Sequence, residues 1–122
     1  LDLSGINLGV HTCWAGANLA KANLKGSNFG MAIFDGANML HANMKDSNFN
    51  SSFFRHATFG PMVKTGTGNI RTDLTGANLE NTIFANADLR DVIFRDAILI
   101  NANLSGADLR GAELVGADLT DV

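Results

Sequence analysis

Three histidines and one cysteine are the residues best suited to catalysis or metal binding in this chain. His11 lies two residues before Cys13, a spacing that could pair a base with a thiol nucleophile, whereas His41 and His56 stand apart. None of these histidines shows the helical spacing that is typical of metal ligands. Cys13 stands where a weak five-residue repeat with Leu3 and Leu8 requires a large apolar residue, so we interpret it as a buried core residue.

A glycine-rich segment, GPMVKTGTG at residues 60–68, has the composition of a phosphate-binding loop. It lacks the Gly-x-x-x-x-Gly-Lys-Ser/Thr spacing, and no change from strand to helix surrounds it. Most Asp and Glu residues recur at outward positions of a repeat, so their proximity would follow from stacking and not from acid–base catalysis. The sequence predicts no catalytic residue, no metal and no cofactor, and we expect that the protein is not an enzyme.

A period of five residues runs through most of the chain. Every fifth residue is large and apolar from Leu19 to Phe59, and the same phase returns from Leu74 to Leu119. Two positions before each large residue stands a small one, with Val92 as the bulky departure, and Asn or Asp usually lies between the two. The repeating unit is therefore Ala-(Asn/Asp)-(Leu/Phe)-x-x, with Gly frequent in the last position.

This unit has a direct structural meaning. Residues two apart in an extended chain point to the same side, so the small and the large residue both face inward while the Asn or Asp faces outward. The last two positions have the composition of a tight turn, which makes the corner slots of His41 and His56 solvent-exposed. An α-helix is excluded, because a five-residue step turns about 500° and would scatter the apolar residues around the helix.

The stretches AGANLAKANLKGSNF at 15–29 and NANLSGADLRGAELVGADLTD at 101–121 closely resemble the pentapeptide-repeat family, whose signature is A(D/N)Lxx. The resemblance implies an all-β fold, a right-handed quadrilateral parallel β-helix (β-solenoid). Each coil of this helix contains four of the five-residue units, or quintets. About five coils at strand spacing would make a rod about 25 Å long. We expect one domain over residues 1–122, interrupted by a loop at 60–71.

Two segments depart from the repeat. Residues 1–13 carry a weaker repeat that is one residue out of phase, which predicts a bulge around Trp14 to Gly16. Residues 60–71 lack the repeat and predict a loop. The fifteen-residue step from Phe59 to Leu74 fits either a ten-residue excursion between adjacent sides or two distorted sides, and the sequence leaves both open.

Composition and charge limit the classes of partner that the protein can bind. The chain has 46% hydrophobic residues and a net charge of -3, without the clustered Lys and Arg that direct nucleic-acid binding requires. No apolar run is long enough for a membrane span, and the given chain shows no signal peptide, so the compartment stays open. Because the terminal coils each leave an apolar face uncovered, we expect an end-to-end homodimer, or a flanking domain of a longer chain.

Apolar residues in outward positions are the remaining signal, because polar residues usually stand there. If the fifteen-residue step preserves the register, Ile33, Phe53 and Ile93 share one side, beside Arg55 and Arg95. Exposed apolar residues with arginines are typical of protein interfaces, although such residues also suit strand surfaces in general. The predicted interaction surface consists of Ile33, Phe53, Arg55, Ile93, Arg95, Lys64 and Arg71.

Two functions follow from these observations. The first is a non-catalytic scaffold that offers its flat sides and the 60–71 loop to a protein partner. The second is implied by the resemblance, since quinolone-resistance members of the family mimic DNA and bind DNA gyrase. Mimicry requires a continuous negative surface, but only the C-terminal half is acidic here, and Arg90, Arg95 and Arg110 interrupt it.

Overall fold

The computed structural model of the protein describes residues 1–8 and 11–122. These residues form a right-handed quadrilateral β-helix, which confirms the predicted fold. Each quintet contributes its outward residue to single parallel bridges with the coils on either side. Within the described ranges, the strands longer than one bridge are β1 (Val63–Thr65) and β2 (Gly68–Ile70), an antiparallel hairpin, and there is no helix.

The bridged residues form four columns, which we call faces 1 to 4 in chain order. Face 1 consists of Cys13, Ile33, Phe53, Ile83 and Asn103, and face 2 of Asn18, Asn38, Thr58, Asp88 and Asp108. Face 3 consists of Asp2, Asn23, Asn43, Asp73, Ile93 and Glu113, and face 4 of Asn7, Asn28, Asn48, Asn78, Ile98 and Asp118.

The change of phase lies earlier in the chain than predicted. Asn7 pairs with Asn28 at a separation of 21 residues, whereas Cys13 already pairs with Ile33 at the regular spacing of the coils. The extra residue therefore lies between Asn7 and Cys13, a segment that includes residues 9 and 10 outside the described ranges, and the expected bulge at Trp14 to Gly16 is wrong. Cys13 is consequently exposed on face 1, and Trp14 takes the inward position where Cys13 was expected.

The interruption at 60–71 is the ten-residue excursion between adjacent sides. Thr58 pairs with Asp88 and Asn43 with Asp73, so the chain returns to face 3 directly after leaving face 2. This register corrects the predicted grouping of Ile93 with Ile33 and Phe53. The hairpin supplies no side of the coil, so the residue stacked on Phe53 is Ile83.

The interior is filled by the large residues of each quintet. Phe34, Phe54 and Phe84 stack nearly parallel along the axis, with ring centroids 4.8 and 5.3 Å apart. Phe29 and Phe49 form a second stack at 5.6 Å, and Phe49 meets Phe54 edge to face. Burying stacked rings of this kind stabilises a core beyond the area removed from water.

The corners explain why Asn and Asp precede the large residue. The Asn38 side chain accepts a hydrogen bond from the amide of Leu40 at 3.0 Å, and the same bond recurs at most corners. The second corner residue has a positive φ, which suits Gly but here also includes His41 (φ 62) and His56 (φ 59). His56 is exposed as predicted, whereas His41 is only partly so, because its Nε2 is buried without a hydrogen-bond partner among the described residues.

Candidate protein-interaction surface

Face 1 carries a continuous column of apolar side chains on the outside of the coil. Ile33, Phe53 and Ile83 occupy three successive coils in positions where the repeat normally has Asn or Asp. Ile33 is 36% exposed, and Met31 on the neighbouring corner is 41% exposed. Face 1 therefore differs from faces 3 and 4, on which Ile93 and Ile98 each stand alone.

The apolar column is bordered by an arginine held in a defined position. The guanidinium carbon of Arg55 lies 5.4 Å from the centre of the Phe53 ring, within the range of a cation–π interaction. Its Nε donates to Asp35 Oδ2 at 2.9 Å, and its backbone amide donates to Asp35 Oδ1 at 2.9 Å. Asp35 thus provides the acceptor that an Asn at position 53 would have supplied.

Asp35 is a residue of this surface that the sequence analysis did not identify. Burial acts to raise its pKa, but the hydrogen bonds from the Arg55 side chain and amide outweigh that effect, and the pKa of Asp35 is lowered. The carboxylate therefore stays ionised and keeps Arg55 beside Phe53. The spacing of twenty residues between Asp35 and Arg55 is the one signal that could have revealed the pair.

The other predicted residues lie elsewhere. Ile93 belongs to face 3, the face opposite face 1, and stands between Asp73 and Glu113. Arg95 and Arg71 both reach Glu113, at 3.1 and 3.4 Å. The predicted surface is therefore divided between two opposite sides of the molecule.

Lys64 lies in the hairpin, whose residues from Val63 to Ile70 are all exposed. Val63 and Ile70 pair across the two strands and are 45% and 43% exposed. A two-stranded hairpin has little stability by itself, so its position depends on how its base is attached. The hairpin offers a second exposed surface, at the corner between faces 2 and 3.

The base of the hairpin is held by the coils around it. Arg71 Nε donates to the carbonyl of Asp91 at 2.6 Å and its Nη2 to the carbonyl of Gly111 at 3.1 Å. The amide of Met62 donates to Asp91 Oδ2 at 3.1 Å. Gly60 packs so closely that a methyl group there would lie 2.0 Å from the carbonyl oxygen of Arg90. These contacts fix the two ends of the hairpin and leave its tip free.

Within residues 1–8 and 11–122, six of the nine basic and five of the twelve acidic side chains form ion pairs. The ion pairs are Lys45–Asp73, Arg55–Asp35, Arg71–Glu113, Arg90–Asp88, Arg90–Asp108, Arg95–Glu113 and Arg110–Asp108. Hydrogen bonds from the Arg110 side chain and amide lower the pKa of Asp108 to about 2, and the Arg90 side chain lowers the pKa of Asp88. The acidic residues of face 2 are therefore covered by arginines and do not form a continuous negative surface.

His41 and His56 lie at different corners of the coil. Within residues 1–8 and 11–122, no group of three His, Cys, Asp or Glu side chains could hold a metal ion, and no pocket is present. His41 lies at the base of the hairpin, where its amide donates to the hydroxyl of Thr72 at 2.8 Å. His56 lies on the corner that follows Phe53, whereas Cys13 lies on face 1.

Comparison with known proteins identifies the class of fold. The family model for pentapeptide repeats matches residues 10–60 and 72–122 through overlapping segments, with eight copies of the repeat. The chain belongs to the pentapeptide-repeat family. No curated protein matches it.

Solved structures agree with this assignment. The pentapeptide repeat protein Rfr23 from the cyanobacterium Cyanothece 51142 is 21% identical with a TM-score of 0.71, over 96% of this chain and 87% of that one. Trypsin-treated QnrB1, a plasmid-mediated fluoroquinolone resistance protein, is 20% identical with a TM-score of 0.50, over 95% of this chain and 59% of that one. These similarities show the fold. Among the described residues, no helix is long and apolar enough to cross a membrane.

Proposed function

We propose that the protein is a non-catalytic scaffold that binds another protein through face 1. The observation that carries this proposal is the apolar column of Ile33, Phe53 and Ile83. Each of these residues replaces an Asn or Asp that elsewhere accepts a hydrogen bond from the corner amide, a local bond whose loss typically costs about 1 kcal/mol. At Phe53 the Asp35 carboxylate accepts the amide of Arg55 instead, so the bond is missing at Ile33 and Ile83. Three successive apolar replacements on face 1, against single ones on faces 3 and 4, favour an apolar binding surface over a general strand preference.

The hairpin is the second surface available to a partner. It is exposed along its whole length and attached firmly at its base by Arg71, so it would present Lys64 in a defined position. Face 1 and the hairpin lie on different sides of the molecule. One small partner would therefore contact one of them, and the experiment must distinguish the two.

Site-specific photo-cross-linking in an extract of the source organism tests the proposal. The photoreactive residue p-benzoylphenylalanine is placed at position 53 or 83 on face 1, at position 64 in the hairpin, or at position 98 on face 4 as a matched outward control. We expect one discrete, mass-spectrometrically identified protein from positions 53 and 83 and none from position 98. Excess unlabelled protein should compete, and the Phe53→Asn protein should not. Absence of a discrete product from all four positions would refute the scaffold function.

The alternative, a DNA-mimicking inhibitor of DNA gyrase, has weaker support. The acidic side chains Asp88, Asp108 and Glu113 each pair with an arginine, which reduces the negative potential that mimicry requires. We expect no inhibition of gyrase supercoiling at micromolar protein. Inhibition that survives Phe53→Asn would favour the mimic over the face 1 scaffold.

A further inference from the structure

The dimensions of face 1 indicate what kind of partner would fit it. The apolar side chains of Ile33, Phe53 and Ile83 stand on three stacked coils, so at a strand spacing of about 4.8 Å the first and the last are about 10 Å apart. A helix places apolar residues i and i+7 about 10.5 Å apart, with i+3 or i+4 between them. An extended strand along the same line would need about 13 Å for three side chains on one side.

The width of face 1 also favours a helical partner. One side of the coil is about three extended residues wide, or about 10 Å, which equals the diameter of a helix with its side chains. A flat face of about 10 by 25 Å offers about 250 Å², which suits one short helix better than a globular partner, since each partner of a stable globular interface contributes roughly 800 Å².

Charge at the edge of the column adds a further constraint. Arg55 uses Nε and Nη2 for Asp35, and its Nη1 makes no hydrogen bond within residues 1–8 and 11–122. The Arg55 side chain is 51% exposed. Its Nη1 can therefore donate to an acidic side chain of a partner that lies along the column.

We propose that face 1 binds an amphipathic α-helix of a partner protein, with apolar residues at i, i+3 or i+4 and i+7 and an acidic residue beside Arg55. This inference rests on the proposed scaffold function and specifies the partner. The helix axis lies along the axis of the coil, and its apolar side chains pack between Ile33, Phe53 and Ile83. Met31 covers the other edge of the helix.

The probe for this proposal is a fluorescein-labelled, stapled helical peptide about four turns long, with leucines on one face and glutamates at its edges. Fluorescence anisotropy measures its binding to the full chain, and a peptide of equal composition with scattered leucines is the control. We expect saturable binding of the first peptide alone. Because central apolar anchors dominate such interfaces, Phe53→Asn and Ile33→Asn should each weaken binding about tenfold or more.

Ile98→Asn is the matched control variant. Ile98 also stands outward in an Asn or Asp position and is 39% exposed, but it lies on face 4. Its replacement should leave the affinity for the peptide unchanged, and circular dichroism checks that all three variants keep the fold. Phe53→Asn affects only an outward residue, so a loss of binding would not reflect unfolding.

Three results would overturn the proposal. The first is peptide binding that Phe53→Asn and Ile33→Asn leave unchanged, and the second is no saturable binding. The third is a dimer in sedimentation equilibrium that Phe53→Asn dissociates, which would make a second copy the occupant of face 1. If position 53 cross-links to a partner while the helical peptide fails to bind, the helical partner is wrong and the scaffold function stands.

Discussion

Replacing Phe54 by alanine is expected to lower the free energy of unfolding by about 4–5 kcal/mol. Phe54 is fully buried, and its ring meets those of Phe34, Phe49, Phe59 and Phe84 at centroid distances of 4.8 to 5.5 Å. Truncating a buried phenylalanine typically costs about 3–5 kcal/mol. The upper end applies here, because the ring takes part in both stacked and edge-to-face pairs and the fixed coils cannot close around the cavity.

The adjacent Phe53 provides the control for this prediction. Its side chain points outward, so Phe53→Ala removes partly exposed surface and the interaction with Arg55, which together contribute about 1 kcal/mol or less. Two neighbouring phenylalanines should therefore differ several-fold in their effect on stability. This difference follows directly from the alternation of side chains along each quintet.

Urea unfolding followed by circular dichroism and by the fluorescence of Trp14 measures both effects. With a slope of about 2 kcal/mol per molar urea, the loss at Phe54 corresponds to a midpoint about 2 M lower, whereas Phe53→Ala should shift it by about 0.5 M or less. The two probes should agree for each variant if the coils unfold together. Equal midpoint shifts for the two variants, or a shift below about 0.7 M for Phe54→Ala, would refute the assigned orientation of these side chains.

Three further predictions concern the hairpin and the ion pairs. Gly60→Ala should be destabilising, because its methyl group would overlap the Arg90 carbonyl, whereas Gly66→Ala at the open turn should be nearly neutral; thermal unfolding compares them. Arg71→Ala should increase amide hydrogen exchange in β1 and β2 but not in the rest of the coil; unchanged exchange would show that other contacts hold the hairpin. The folded pKa of Asp108 is depressed, so its contribution is present above pH 4 and is lost as the pH falls toward about 2; Asp108→Asn should reduce the acid sensitivity of stability in that window, and an unchanged pH profile would contradict the pairing.

The repeat itself could be predicted from the sequence because it is a local property. Each quintet carries its own inward pair and its own corner, so Leu19 or Leu114 can be placed without knowing the rest of the chain. The hydrogen bond from Leu40 to Asn38 spans two residues and recurs for the same reason. Parallel stacking of such units then leaves little freedom in the fold.

The composition of face 1 could not be predicted, because it depends on how many residues each coil contains. The excursion adds ten residues to one coil, which moves Ile93 to face 3 and brings Ile83 over Phe53. The extra residue between Asn7 and Cys13 has the same kind of effect, since it turns Cys13 outward. Counting along the sequence fails at both places because an insertion changes the residue number without changing the stacking.

The hairpin leaves and rejoins the coil at one corner. Foreign sequences can therefore be inserted at this corner. The ends of the hairpin are held by Gly60 and Arg71, while a methyl group at Gly66 in the turn would meet no atom within 4 Å. Loop length has only a small entropic cost, of about 0.6 kcal/mol per doubling. A peptide epitope or a small binding domain grafted in place of residues 63–70 would leave the hydrophobic interior intact, so the molecule provides a ready display platform.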